Sequence, residues 1–580
     1  MKMPDPRIVE LCMNEWEAIL QRAQAGPLDE KDRAKLKAVF ESYAYIRDLG
    51  EDRRTTMGHL RKLLFGSPTE KTRDVIGTKP EDGATPVAAA DGAESTEPTA
   101  PPPGHGRHGA DAYGIAEKIR VPHAFLHSGD PCPECKRGKV YEVSPPGVLV
   151  RLVGAAPLQA KVYELQKLRC HLCGKVFTAE APKGVGSKKY DATAASMIAL
   201  LKYGSGLPFN RLEGLQGNLD IPLPASTQWD IVHATARQIE PAYEELIRQA
   251  AQGDILYNDD TTIKILELMA QNAKQKALAQ DPSRTTGDAL ADGRRGMFTS
   301  GIVSTRTGCR IALFFSGRQH AGENLADVLA RRAAELGPPI QMCDALSRNQ
   351  PTSRDERRAS KGGQVAPRFE DLPVQLQTIL ANCLAHGRRQ FVNVAERFPE
   401  ECRYVLEALA EVYKNDALAR ERSAEGGSPE ERLHFHQIES GPIMEQLQAW
   451  CLRQFADRLV EPNSGLGAAI SYLLKHWKPL TLFLRQPGAP LDNNICERAL
   501  KRAILHRKNA MFYKTLNGAH VGDVFMSLIY TCQLCEANPF DYLTELQRHV
   551  AQLSSNPQQW MPWNYRATLQ EPAARSAAAH

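Results

Sequence analysis

The runs "DILYNDD" (254–260), "GMFTSGIVST" (296–305) and "CRIALFFSG" (309–317) decide how the chain folds. Each is rich in β-branched and aromatic residues and bounded by Gly or polar residues, the pattern of a strand. A helix, "GENLADVLARRAAEL" (322–336), and a fourth strand, "PPIQMCDA" (338–345), follow. The order β-β-β-α-β predicts an α/β protein whose mixed sheet carries helical cover. Asp259 and Asp260 are expected to end the first strand and Asp344 the fourth. Acids at strand ends project together at one edge of a sheet, where two Mg²⁺ ions could bridge them. The pattern is also common without a metal.

Outward from this centre, 580 residues exceed what one core holds and imply several domains. Hydrophobic content of 42% and charged content of 24% are ordinary for a globular protein. No apolar run reaches the roughly 18 residues that span a bilayer, and the first residues lack a signal-peptide core, so a cytoplasmic protein without membrane contact is expected. A net charge of +4 names no partner by itself. Residues 1–76 read as a helical N-terminal segment. Within it Leu36, Val39, Tyr43 and Ile46 follow 3-4 apolar spacing, read either as a coiled coil or as a helix packed on its own domain. The Pro/Ala/Gly-rich 77–115 reads as a disordered linker. Two polar tracts, 270–296 and 347–370, read as loops, residues 371–480 as largely helical, and 521–580 as helices and a tail.

Thirteen cysteines, partly in pairs, read as reduced thiols with metal ligands. "CPEC" (Cys132, Cys135) and "CHLC" (Cys170, Cys173) give C-x2-C…C-x2-C. Each turn points two thiolates at one spot, so a structural Zn²⁺ site in a ribbon at 116–185 is expected, with strands at 139–144 and 159–168. Redox dithiols are the alternative. Cys532 and Cys535 share the spacing but lie in an apolar helix and read as core.

Residues 186–252 read as helices. "LPFNRLEGLQGNLDIPLPASTQWDIVHATARQI" (207–239) has a turn at Gly217 and a cap at Ser226 or Thr227. It suits a DNA-binding helix-turn-helix or any other helical hairpin. The basic tract "PKGVGSKK" (182–189) lies beside it. In "PLDNNICERALKRAILHRKN" (490–509), Asp492 or Asn493 would cap a helix, with Ile495, Ala499 and Ala503 facing inward. There Glu497 is a lone acid among Arg498, Lys501 and Arg502. It could complete a metal site with the strand acids, the cations then meeting a phosphodiester.

"LYNDDTTIKIL", "QMCDA", "CLAHGRRQF" (383–391) and "LDNNICERALKRAILHRKNAMFYKTLNGA" together resemble the transposases of the insertion sequence 66 family, a D…D…E group. "RKLLFGSPTEK" (61–71), "GHGR" (104–107) and the two C-x-x-C pairs extend the likeness over most of the chain. The resemblance implies a ribonuclease H-like catalytic core at 253–520, with a helical insertion at about 371–480. It implies Asp259, Asp344 and Glu497 as catalytic, Mg²⁺-binding acids, with Arg388, Arg389, Arg498, Lys501 and Arg502 on DNA phosphates. It implies DNA as partner, for both element ends and target, a homo-oligomer in the DNA complex, and helper proteins from the same element. One departure is Leu346, where family members carry a tyrosine. Cys383 and His386 have C-x-x-H spacing and either shape the site or pack in a core. The rival reading is a catalytically silent, domesticated relative that represses by binding DNA.

Overall fold

A computed structural model describes residues 22, 29–35, 121–122, 124–142, 155–169, 176–186, 188–279, 295–351, 376–424 and 427–570. The predicted coiled coil and linker therefore lie almost wholly outside the described residues, as do Cys170 and Cys173. The chain divides into two compact units.

The smaller unit, Pro80–Val185 and Glu213–Leu223, contains β1 (Lys167–Arg169) paired antiparallel with β2 (Val176–Thr178). These strands flank the second cysteine pair. Among the described residues, 139–142 of the predicted strand 139–144 make only the bridge of Lys139 to Pro131, and of the predicted strand 159–168 only the last two residues are in β1, 155–166 having no regular structure. Val162 and Tyr163 there are exposed, so their β propensity meets no apolar partner.

The larger unit is Met1–Lys79, Gly186–Leu212 and Pro224–His580. Before its sheet come α1 (Ala192–Ala199, continued by a π turn at Leu200–Gly204), α2 (Phe209–Gly217, which passes into the smaller unit after Leu212) and, back in the larger unit, α3 (Ala225–Ala250). Asp191 caps α1 by accepting from Ala194 N–H at 2.9 Å. Pro224 precedes α3 with no side-chain cap, so Ser226 and Thr227 lie inside the helix. Val232, Ala236, Ile239, Tyr243 and Leu246 recur at 3–4 spacing and are buried, making α3 a core helix.

Five strands follow: β3 (Ile255–Thr262), β4 (Phe298–Arg306), β5 (Cys309–Gly317), β6 (Ile340–Cys343) and β7 (Ile379–Asn382). Their order is β5-β4-β3-β6-β7, with β5, β4 and β3 antiparallel and β6 and β7 parallel to β3. Two helices are interleaved, α4 (Leu266–Ala279) and α5 (Ala321–Leu329). α4 occupies the start of a tract read as a loop. α5 stops short of the predicted end because Arg332 turns back to donate to the carbonyls of Ala251 and Gly253, at 2.7 and 2.8 Å. β7 lies within the stretch read as largely helical.

Beyond β7 come α6 (Leu384–Val394), α7 (Pro399–Ala424), α8 (Pro429–Glu439), α9 (Gly441–Ala456) and α10 (Gly465–Lys475). α7, α8 and the rest of this group bury an ion cluster in which Asp416 faces Arg420, Arg432 and His436. These partners outweigh burial and hold the Asp416 carboxyl down at about 2. The chain then returns to the sheet as α11 (Asn494–Ala510) and α12 (Leu516–Leu534), and ends in α13 (Pro539–Arg548) and α14 (Val550–Ser555). α12 covers β5: Ser527 and Thr531 hydroxyls accept from the N–H groups of Phe314 and Ala312. Cys532 is fully buried there, as its apolar setting predicts.

Candidate functional site

The two middle strands set the site by register. Tyr257 of β3 pairs with Met342 of β6, so Asp259 and Asp344, each two residues further on, are level on parallel strands. β3 does not end at its acids, as predicted, but continues to Thr262 along β4. Asp259 lies opposite Gly301, where a Cβ would come within 3.0 Å of Leu500. The missing side chain lets α11 approach, bringing Glu497 in its first turn over the sheet edge.

α11 is seated differently from the sequence expectation. Asn493 occupies the cap position but makes no cap bond; it donates to Asn258 O at 3.1 Å and, through its backbone, to Cys383 Sγ at 3.3 Å. Asp492 accepts from Asn494 N–H at 3.1 Å. The buried face is Cys496, Ala499, Leu500, Ala503 and His506, with Ile495 only half-buried.

Asp259, Asp344 and Glu497 thus converge. Burial pushes the Asp259 carboxyl up to about 7, and the charges of Asp344, Asp260 and Glu497 add to the rise against the Asp260 N–H bond. Glu497 Oε1 is buried without a hydrogen-bond partner. The charges of Asp344 and Glu497 act on Asp259, so the three carboxylates face a common region, but among the described residues their oxygens are not gathered within the 4.8 Å that a single ion's ligand set needs.

Asp260 points to the opposite face of β3. Its side chain is 2% exposed, 2.7 Å from His320 Nδ1 and 3.7 Å from Arg348. Asp344 is oriented by Asn349, whose amide donates to its Oδ1, and by Leu346 N–H at 3.3 Å. The Asn349 carbonyl in turn accepts from Asn258 at 2.8 Å and Gln341 at 2.7 Å; Gln341 also accepts from Thr378 at 2.9 Å. All four polar side chains are buried, so the second acid rests on a buried polar network in which only the Asn349 Oδ1 lacks a partner among these groups. Sequence reasoning missed Asn349, Asn258 and Gln341; buried amides have no spacing signature, and only apolar neighbours on a central strand hinted at Asn258 and Gln341. Leu346 is exposed, while Tyr472 of α10 places its hydroxyl at the Ala345 backbone N–H.

Cys383 caps α6 by position and His386 follows one turn in. His386 Nδ1 lies 3.9 Å from Glu497 Oε1, so the C-x-x-H pair is brought to the third acid. Arg388 and Arg389 are half-buried in the next turn of α6, and both have partners. Arg498 and Lys501 are exposed. Arg502 is already engaged: it donates to Gly204 O at 2.6 Å and Gln533 at 2.8 Å, tying α11 to the π turn and α12. In the smaller unit, the N–H groups of Arg137 and Gly138, with Cys132, hold the Cys135 thiol below its usual range. That favours thiolate, while the other half of the four-cysteine set lies outside the described residues.

A profile of the IS66 family of transposases matches residues 188–280 and 368–521. The matched segments contain Asp259, Cys383, His386 and Glu497, and the interval between them contains Asp344. Three Sinorhizobium fredii (strain NBRC 101917 / NGR234) proteins are similar. One, y4jD, is 36% identical over 32% of this chain and 36% of its own length. A second, y4hP, is 25% identical over 71% of this chain and 69% of its own length. The third, y4qI, is 24% identical over 64% and 61%. The chain thus spans about a third of the first of these relatives. Among the described residues, no helix is long and apolar enough to cross a membrane.

Proposed function

Because the chain belongs to the IS66 family of transposases, we propose that it binds the terminal inverted repeats of its own element, cuts DNA at those ends and joins them to target DNA. The observation that carries this reading is the convergence of Asp259, Asp344 and Glu497 on one sheet edge. The strand order, 3-2-1-4-5 in chain sequence with the first three antiparallel, supports a ribonuclease H-like core.

Asp259, Asp344 and Glu497 would hold two Mg²⁺ ions, which when bound activate water and then a 3′-hydroxyl for in-line attack on phosphorus. The protein's own part is positioning. Asn349 fixes one oxygen of Asp344, the Asp260 N–H fixes one of Asp259, and α11 carries Glu497 on a rigid helix. Arg498 and Lys501, exposed within a turn of Glu497, meet the phosphates; Arg388 and Arg389 approach from α6. Residues 186–252 and the four-cysteine zinc ribbon supply end recognition. Arg502 braces α11.

Glu497→Gln keeps size and removes charge. It is expected to leave folding and end binding intact while metal-dependent nicking of end-sequence DNA falls by orders of magnitude. The exposed Glu461→Gln is the comparison. Near-parental cutting by Glu497→Gln, or equal losses in both variants, would refute the assignment.

A further inference from the structure

Cys383, His386 and Glu497 each offer a ligand atom within 4.8 Å of the other two. The three come from two elements locked together: Leu384 N–H donates to Leu491 O at 2.9 Å, and Asn493 N–H to Cys383 Sγ at 3.3 Å. Both Glu497 Oε1 and His386 Nδ1 are buried without hydrogen-bond partners, although they face each other at 3.9 Å. Two orphaned polar atoms beside a thiol are costly unless something occupies the space between them. Cys383 and Glu497 also lie at the N-termini of α6 and α11, so both are carried on the ends of helices.

We propose that Cys383, His386 and Glu497 form a binding site for a borderline transition ion of the zinc type, and that filling it draws Glu497 away from Asp259 and Asp344. Sulfur, nitrogen and oxygen donors suit Zn²⁺ and disfavour Mg²⁺, which takes oxygen alone. Tetrahedral zinc holds such ligands roughly 3.3–3.7 Å apart, so the present spacing closes by about 1 Å through side-chain rotation. The Cys383 proton leaves to solvent, and the fourth position stays open to water. The inhibitory consequence rests on the proposed function; the binding does not.

The full chain, stripped of metal and titrated with Co²⁺, tests the site through the thiolate-to-cobalt charge-transfer absorption. The Cys132→Ser/Cys170→Ser variant removes the paired-cysteine contribution. It should keep a thiolate band saturating at one equivalent. Adding Cys383→Ser should abolish the band, and adding His386→Gln should weaken binding at least tenfold, so that either variant decides if the other does not fold. A double variant with no band, or one unchanged by both additions, overturns the proposal. In parallel, zinc should inhibit Mg²⁺-dependent nicking by the parent, and at least tenfold more should be needed in His386→Gln, each normalised to its own zinc-free rate. A parent that never nicks DNA would count against the function, while the cobalt titration would still decide the site.

Discussion

Asp523 is a carboxylate in the middle of α12, 3% exposed, facing the end of β5. Its oxygens accept from Ser316 N–H and Ser316 Oγ, both at 2.7 Å, yet burial prevails and pushes it up to about 7. His520 partly opposes the rise, and Tyr203, Tyr243 and Tyr513 complete the titratable surroundings. A folded pKa above the unfolded value means the native state binds the proton more tightly. The contribution to stability is then fully present below about 4 and is lost as pH rises to about 7. About three pH units at ~1.4 kcal/mol each make the loss roughly 4 kcal/mol. Asp523→Asn keeps the shape, since its amide oxygen accepts from Ser316 N–H and its amide nitrogen donates to Ser316 Oγ. Urea unfolding of parent and variant at intervals from pH 4 to 8 measures the difference. The variant should gain on the parent by several kcal/mol across that range, chiefly between pH 5 and 7. A difference that stays flat would refute the reasoning, because every other titrating group is common to both proteins.

Asn349→Ala removes the amide that orients Asp344 but leaves the backbone carbonyl that accepts from Asn258 and Gln341. Nicking should fall roughly tenfold or more, since small misplacements of a reacting group are costly, and the Mg²⁺ needed for half-maximal activity should rise; unchanged metal dependence would remove Asn349 from this role. Gly322→Ala places a Cβ 2.0 Å from the Gln350 carbonyl, on backbone that cannot rotate away. Thermal or urea melts should register a loss of about 1–3 kcal/mol, and a melt like the parent's would mean that the 344–350 loop is freer than its hydrogen bonds imply.

The long strands were legible because β3, β4 and β5 are rich in β-branched and aromatic residues over eight or nine positions. β7 was not: four residues, Ile379 to Asn382, are too few to show a period, and a short apolar run reads equally as buried helix. The strand acids Asp259 and Asp344 stood out because a charge beside a strand end is conspicuous, but their grouping with Glu497, which lies on a helix, rested on the family resemblance. What holds them was hidden, because Asn349, Gln341 and Thr378 meet only through folding, across 8 and 37 residues of chain. Asn493 looked like a cap from local chemistry, yet tertiary bonds to Asn258 and Cys383 claimed it. Likewise Cys383 and His386 could be paired by spacing, but their third neighbour stands more than a hundred residues away.

Asp259 and Asp260 are adjacent carboxylates on opposite faces of the central strand, and this makes the sheet sensitive to slippage. A one-residue shift of β3 that aimed Asp260 at Glu497 would move Asp259 to the far face, where Asn258 now stands, and put Thr261 in the place of Asp260. The wrong alignment would strand His320 and Arg348 without their acid. The pairing on the far face therefore acts as an alignment pin for the near one. A single-residue deletion in 254–258 would be far more damaging than its few lost contacts suggest, because it forces a choice between the pin and the acids.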